Sequence, residues 1–333
     1  MRRLFQTTSL FVAVMCLGAA ANAQKVIATI PVGGFVGGGA VDPQAKVAYL
    51  PTYDGSGTTA QISVVNEESQ KIERYITLDT EWGTVSAALD YKTGLLYVGT
   101  QFGGLYAVNP KNGKTVGYVN VQASSVAVNS ETNMVYVSDF ESNLYAIDGA
   151  TDNIVADIAV QGIENVAVNP ITNTIYAAVS FNPGEVAVVD GATNQIVAQP
   201  TAASGLTFGV AVDPIRNFFY SSDTNQLSSS GTGTVSVYNG KTNTLATSVT
   251  LEGYPALVVE DPVTFTVYAS NYPENTVDII DGATNTLLGS VPVGSGPQYM
   301  TDDPVRKLLY VGCQGPDNAQ GDPTFVLYVI KTR

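Results

Sequence analysis

The chain of 333 residues carries 29 acidic and 15 basic side chains, 32 glycines, two cysteines and no histidine, for a formal charge of −14. Without histidine there is no Ser-His-Asp triad, no imidazole base and no His-ligated metal, and two cysteines make neither a zinc knuckle nor a disulfide framework. The acidic balance argues against a phosphate-backbone partner, which is normally met with clustered Lys and Arg, while the length suits one large domain or two ordinary ones.

Met1 to Ala23 reads as a cleaved targeting segment: Arg2 and Arg3 form a basic start, Leu10 to Ala21 an apolar stretch, and Ala21-Asn22-Ala23 a small-residue cleavage site. An apolar run of about 12 residues is too short to span a bilayer as a helix. Met15 before Cys16 does not suit lipoprotein processing, so cleavage is expected after Ala23. Removing Arg2 and Arg3 from the 15 basic residues leaves 13 against 29 acidic, or −16, and leaves Cys313 as the sole cysteine. Its neighbours Gly312, Gln314 and Gly315 offer nothing that lowers a thiol pKa, so an inert thiol is expected. No later segment is apolar enough to cross a membrane. The expectation is a soluble, monomeric chain in the periplasm or outside the cell.

The mature chain opens with a strand over Lys25–Val32, followed by Gly33-Gly-Phe-Val-Gly-Gly-Gly39. That glycine run resembles a phosphate cradle, but neither a helix nor a P-loop lysine follows, and a tight axial loop accounts for it better. From there a repeat takes over. An Asp or Asn closes a short strand at Asp42, Asp90, Asn129, Asn169, Asp213, Asp261 and Asp303. A tyrosine follows each at a constant offset of seven: Tyr49, Tyr97, Tyr136, Tyr176, Tyr220, Tyr268 and Tyr310. A third anchor recurs at Asn66, Asn109, Asp148, Asp190, Asn239, Asp281 and Lys331, with spacings of 43, 39, 42, 49, 42 and 50.

Each unit reads as four short strands; in the fourth these are Val166–Val168, Thr174–Ala178, Val186–Val189 and Ile196–Ala198. β-branched and aromatic residues fill the runs, and Asn169-Pro170 and Asp190-Gly191 mark the turns. No sustained 3.6-residue period is present, so almost no helix is predicted. Seven four-stranded units of about 40 residues predict an all-β, seven-bladed β-propeller over residues 24–333. Lys25–Val32 aligns with the outer strands at Asn153–Val160 and Thr286–Val293, and the chain ends at Phe325–Lys331 on a third strand. The N-terminal strand should therefore complete the last blade and close the ring, leaving no open edge. The seven tyrosines, one per blade at one register, are expected in the packing between strands and blades.

Val166-Ala-Val-Asn-Pro170, Thr174-Ile-Tyr176 and Val189-Asp-Gly-Ala-Thr-Asn194 resemble the repeat consensus of the YVTN-family seven-bladed propellers. That group includes YncE-like periplasmic proteins and surface-layer-associated repeat proteins. The resemblance covers the whole mature chain, departing where Tyr91 and Ser130 replace the proline and in the irregular fifth and seventh units. It implies the fold and no particular activity, because the shared residues are scaffold residues. Some similar propellers are lactonases or lyases, whose histidine or metal constellations find no match here. Single-strand binding through aromatic side chains is a further implication, and the positive groove it needs is missing.

Successive turns of a propeller alternate between two faces. The first-to-second-strand turns are constant in length, whereas the distance from tyrosine to third anchor runs 17, 12, 12, 14, 19, 13 and 21 residues. The second-to-third and fourth-to-first loops share this variable face, the better candidate for binding, although long loops are cheap enough to persist unselected. Axial loops there hold Glu81, Trp82, Phe208, Tyr254 and Tyr299, which suit a sugar ring, an aromatic ligand or a partner's apolar anchor. Glu81 is the first carboxylate to test as a general base. A second aromatic set, Tyr53, Phe102, Phe140, Phe181 and Tyr272, recurs at equivalent positions and is expected to pack between blades. Asp54, Asp317 and Asp322, with Asp223, offer oxygen ligands for a divalent cation such as calcium, but a solvated acidic loop is the simpler account.

The composition and loops together suggest an exported binding module for an unidentified protein, glycan or small molecule, with no nucleic-acid partner. The alternatives are a lactonase-like or lyase-like enzyme using carboxylates and a cation, or a structural envelope protein.

Overall fold

The computed structural model describes residues 24–32, 34–53, 59–139, 141–224, 231–317 and 323–333. The predicted targeting segment, Phe140, Asp54 and Asp322 lie outside them.

Seven four-stranded antiparallel sheets form the blades of a propeller. The inner strands are Ala40–Asp42, Thr84–Leu89, Ser125–Asn129, Ile163–Asn169, Leu206–Asp213, Pro255–Asp261 and Ser295–Asp303, and the blades are numbered in that order. No helix occurs among the described residues. Lys25–Pro31 pairs antiparallel with Pro323–Lys331 as the outer strand of blade 7, so the ring closes as the sequence predicts.

The turn chemistry explains why the repeat folds as it does. Each Asp or Asn closing an inner strand accepts backbone N–H bonds from residues two and three further on. Asp42 Oδ1 takes Gln44 N at 3.0 Å and Ala45 N at 2.9 Å, and Asp303 Oδ1 takes Val305 N at 2.9 Å and Arg306 N at 3.0 Å. The residue after that turn has positive φ in every blade; three of the seven are Asn, which tolerates the left-handed region, at Asn133, Asn173 and Asn217. Blade 6 places Phe265 there, at φ 57°, with the Arg216 guanidinium 4.2 Å from its ring centre.

Three residues beyond the left-handed position, the repeated tyrosine enters the second strand and is buried in all seven blades, between 0% and 3% exposed. Its ring packs between blades and its hydroxyl reaches a turn where the neighbour permits: Tyr97 Oη donates to Gly149 O of blade 3 at 3.1 Å. At the closure between blades 7 and 1, Glu67 stands where four other blades carry glycine, and Arg306 Nε lies 3.0 Å from its Oε2. The core is a ring of interblade clusters. Between blades 4 and 5, Tyr176 stacks on Phe219 at 4.3 Å and Phe219 on Tyr238 at 4.5 Å.

Inner strands have one edge without a strand partner, and buried backbone groups demand one. Neighbouring blades supply it. Ser86 Oγ accepts Val126 N at 3.0 Å, Ser125 Oγ accepts Val166 N at 3.2 Å, and Asn165 Oδ1 accepts Val210 N at 3.1 Å. Blades 1 and 2 approach more closely still: Gly38 N donates to Val85 O, and a Cβ on Gly37 would lie 2.0 Å from that oxygen. The glycine run therefore serves contact between blades, and an extended inner strand rather than a helix follows it.

Candidate ligand-binding funnel

A cavity of about 570 Å³ lies on the axis and is lined by residues of all seven blades. It sits where the inner strands begin, the face shared by the fourth-to-first and second-to-third loops.

Its lining follows a rule of register. Counting five residues back from each inner-strand anchor gives Gly37, Val85, Ser124, Glu164, Phe208, Ala256 and Gln298. All but Gly37 line the cavity, and Gly38 takes its place in blade 1. The cause is a recurrent β-bulge. Pairing between first and second strands skips Val85 between Thr84 and Ser86, Glu164 between Ile163 and Asn165, and Phe208 between Thr207 and Gly209. Blades 6 and 7 shift register between Pro255 and Val258 and between Ser295 and Tyr299. A bulge releases one residue from the ladder and re-aims its side chain; in blades 2, 4, 5, 6 and 7 it turns a residue toward the axis, whereas blade 3 pairs without a shift and reaches the cavity through Ser124, and blade 1 offers Gly38.

The two sides of the funnel differ. Blades 5 to 7 present Phe208, Tyr254, Tyr272 and Tyr299, and blades 2 to 4 present Ser86, Ser124, Ser125, Asn165 and Glu164. Tyr299 is braced by Phe35, edge-on at 5.2 Å, which in turn meets Phe325 at 5.6 Å. Among the described residues Glu164 is the only charged one in the lining. Its side chain is open to the funnel's water, yet surrounding protein raises its pKa above the ordinary value, and no neighbouring charge offsets that burial.

Of the residues singled out from sequence, Phe208, Tyr254 and Tyr299 line this cavity and Glu81 and Trp82 do not. Glu81 and Trp82 lie exposed in the loop entering blade 2, where the Trp82 indole meets Phe102 edge-on at 5.0 Å. The aromatics that begin the second-to-third loops differ from expectation. Phe102 and Phe181 are 48% and 50% exposed rather than packed between blades, and Tyr272, 46% exposed, touches the neighbouring blade only along one edge of its ring. Phe102 meets Trp82, the Phe181 ring sits 3.1 Å from where a Cβ on Gly162 would stand in the loop entering its own blade, and the Tyr272 ring is equally close to Gly296 in the inner strand of blade 7. Tyr272 thereby reaches the funnel. Glu164 was missed because a carboxylate within a strand reads as an ordinary solvated side chain.

Among the described residues no group of three or more Asp, Glu or Cys is placed to hold a metal. Asp317 pairs through its backbone with Pro323, and the other two carboxylates named for a cation, Asp54 and Asp322, lie outside the described residues. Asp223 is wholly buried and fully engaged, accepting from Thr207, Ser221, Thr234 and Ser236 hydroxyls. It is a structural carboxylate of blade 5. Cys313 is buried without a partner cysteine, and burial pushes its thiol up to about 12, which agrees with an inert side chain.

Charge is segregated between the faces. Arg2 and Arg3 precede the described residues, and the other 13 of the 15 basic residues all lie toward the constant turns. Lys46, Lys92, Arg216, Arg306 and Lys307 occupy first-to-second turns, and Lys111 and Lys241 third-to-fourth turns. Lys25, Lys71, Lys114 and Lys331 end strands beside those turns, Arg333 follows Lys331, and Arg74 donates to Pro110 O in such a turn. The funnel face carries Asp79, Glu81, Glu141, Glu164, Glu185, Glu252 and Glu274, and no Lys or Arg falls in any of its loops.

No family model matches the chain, and no curated protein matches it. A solved structure of Kuenenia stuttgartiensis hydrazine synthase is similar, with a TM-score of 0.73 at 16% identity over 91% of this chain and 96% of that one. At that identity the likeness shows the propeller fold alone.

Proposed function

We propose that the protein is an exported binding module whose axial funnel captures a ligand without covalent chemistry. The observation that carries this is the convergence of all seven blades, five of them through a bulge in the inner strand, on one cavity of about 570 Å³, a volume in the range of small-molecule sites. Interblade hydrogen bonds hold these strands in place before any ligand arrives, and such preorganisation lowers the entropic cost of binding. Export rests on the basic start, apolar run and Ala21-Asn22-Ala23 site. The first strand begins at Lys25, so cleavage after Ala23 would leave the ring intact.

The test is a thermal-shift screen of residues 24–333 against divalent metals, glycans, lactones, amines and oligonucleotides. It is repeated on Ala256→Trp, which fills the funnel. A ligand that stabilises the wild type and not the plugged variant supports the proposal, and one that stabilises both equally refutes it. The enzymatic alternative now has a better candidate than Glu81. Glu164, with its raised pKa inside the cavity, is the carboxylate placed for acid–base work. Lactone turnover abolished by Glu164→Gln would favour that reading.

A further inference from the structure

We propose that the funnel recognises a small organic cation, with its ammonium group held between the Glu164 carboxylate and the aromatic wall formed by Phe208, Tyr254, Tyr272 and Tyr299. This deepens the proposed function and rests on the funnel being the ligand site.

Three independent observations converge on positive charge. The first is the lining itself, in which Glu164 is the only charged side chain among the described residues and four aromatic rings come from the three blades 5, 6 and 7. Aromatic faces carry negative electrostatic potential and attract ammonium groups, more strongly where water is reduced. The same rings would tolerate a neutral sugar, but the carboxylate and the surrounding field separate the two cases.

The second is the segregation of charge. All 13 basic residues after the targeting segment lie toward the opposite face, and the loops around the funnel carry only acidic charge. A cleft lined by one sign focuses the field and raises the local concentration of the opposite ion. An anionic ligand would meet no cation at this face.

The third is that Glu164 has no compensating partner. No hydrogen bond or ion pair of its carboxylate falls among the described contacts, whereas every basic side chain that would neutralise it lies at the far end of the blades. A carboxylate held in a half-enclosed site without a counter-charge is at its most favourable when a cation enters. The cavity of about 570 Å³ is sized for a small molecule.

The experiment is isothermal titration of residues 24–333 at pH 7.5 and low salt with choline, benzyltrimethylammonium and cadaverine. The controls are 3,3-dimethyl-1-butanol, the uncharged counterpart of choline, and oligolysine. Glu164→Gln and Tyr254→Leu are titrated in parallel, and their thermal unfolding confirms that each is folded. The expected result is saturable binding of at least one small cation, weakened at least tenfold by Glu164→Gln and at least tenfold tighter than 3,3-dimethyl-1-butanol binds. Affinity should also fall on going from pH 7.5 to pH 4.5, as Glu164 takes up its proton. Equal binding of the uncharged control, or an unchanged affinity in Glu164→Gln, overturns the cation inference and leaves the funnel itself standing. Binding of oligolysine alone overturns it in favour of a basic polypeptide. Binding of no cation at all also overturns it, while the funnel proposal is judged separately by the Ala256→Trp screen.

Discussion

Glu260 offers a quantitative test of how the blades are joined. It lies at the end of the inner strand of blade 6, only 9% exposed, and neither carboxylate oxygen has a hydrogen-bond partner. Asp213 faces it from blade 5, Asp261 and Asp302 add further negative charge, and Arg216 alone opposes them. Burial first, and then Asp213, raise its pKa from 4.5 to about 9, so the folded protein holds it protonated through neutral pH. The folded state therefore binds a proton that the unfolded chain releases above pH 4.5. Its contribution to stability is complete below pH 4.5 and is lost as pH rises towards about 9. At pH 7.5, about three pH units above the unfolded value, holding that proton costs about 4 kcal/mol at 1.36 kcal/mol per unit. Glu260→Gln keeps the shape and needs no proton. It should match the wild type at pH 4.5 and exceed it by up to about 4 kcal/mol at pH 7.5. With an unfolding entropy of about 2.1 cal/mol/K per residue, a gain of that size raises Tm by roughly 6 °C. Differential scanning calorimetry at pH 4.5, 6 and 7.5 measures it. A Tm difference that does not change with pH, or a variant less stable than the wild type at pH 7.5, would refute the reasoning.

The same accounting extends to other positions. Asp223→Ala leaves the hydroxyls of Thr207, Ser221, Thr234 and Ser236 without their buried acceptor, and should lower stability on the order of 3 kcal/mol in urea unfolding. Gly37→Ala drives a Cβ into Val85 O across the junction of blades 1 and 2, and should cost on the order of 2 kcal/mol in the same assay. Deleting Lys25–Pro31 strips the outer strand from blade 7 and bares the edge of Pro323–Lys331; loss of the wild-type elution peak on size exclusion is expected, and an unchanged profile would contradict the closure argument. Cys313 should resist thiol reagents at pH 8 in the native protein and react once unfolded, because it is buried and its pKa stands at about 12.

Legibility in the sequence tracked the range of the interactions involved. Each Asp or Asn anchor bonds to its own chain two and three residues on, so its signal is confined to a few positions and repeats visibly seven times. The tyrosines were equally plain, since a constant offset places them at one register of one strand. The aromatics opening the second-to-third loops show where such reasoning fails. Recurrence suggested burial between blades, yet Phe102 and Phe181 cover loops of their own blades, because no blade-to-blade register holds an irregular loop. Charge segregation was present in the sequence and needed only the assignment of turns to faces.

The sequence by itself determined the all-β class, the seven blades, the ring closure and the constant turn face, because these follow from local bonding repeated at a fixed period. Only the tertiary structure decided which residues form the funnel. Gly38, Val85, Ser124, Glu164, Phe208, Ala256 and Gln298 share no chemistry, so nothing in their identity marks them as equivalent. Their common property is a place at the start of the inner strands, reached through a bulge in blades 2, 4, 5, 6 and 7, and that brings them together only when seven blades close around one axis. Glu164 acquires its raised pKa and its lack of a counter-charge from that convergence, because the walls that bury it belong to other blades.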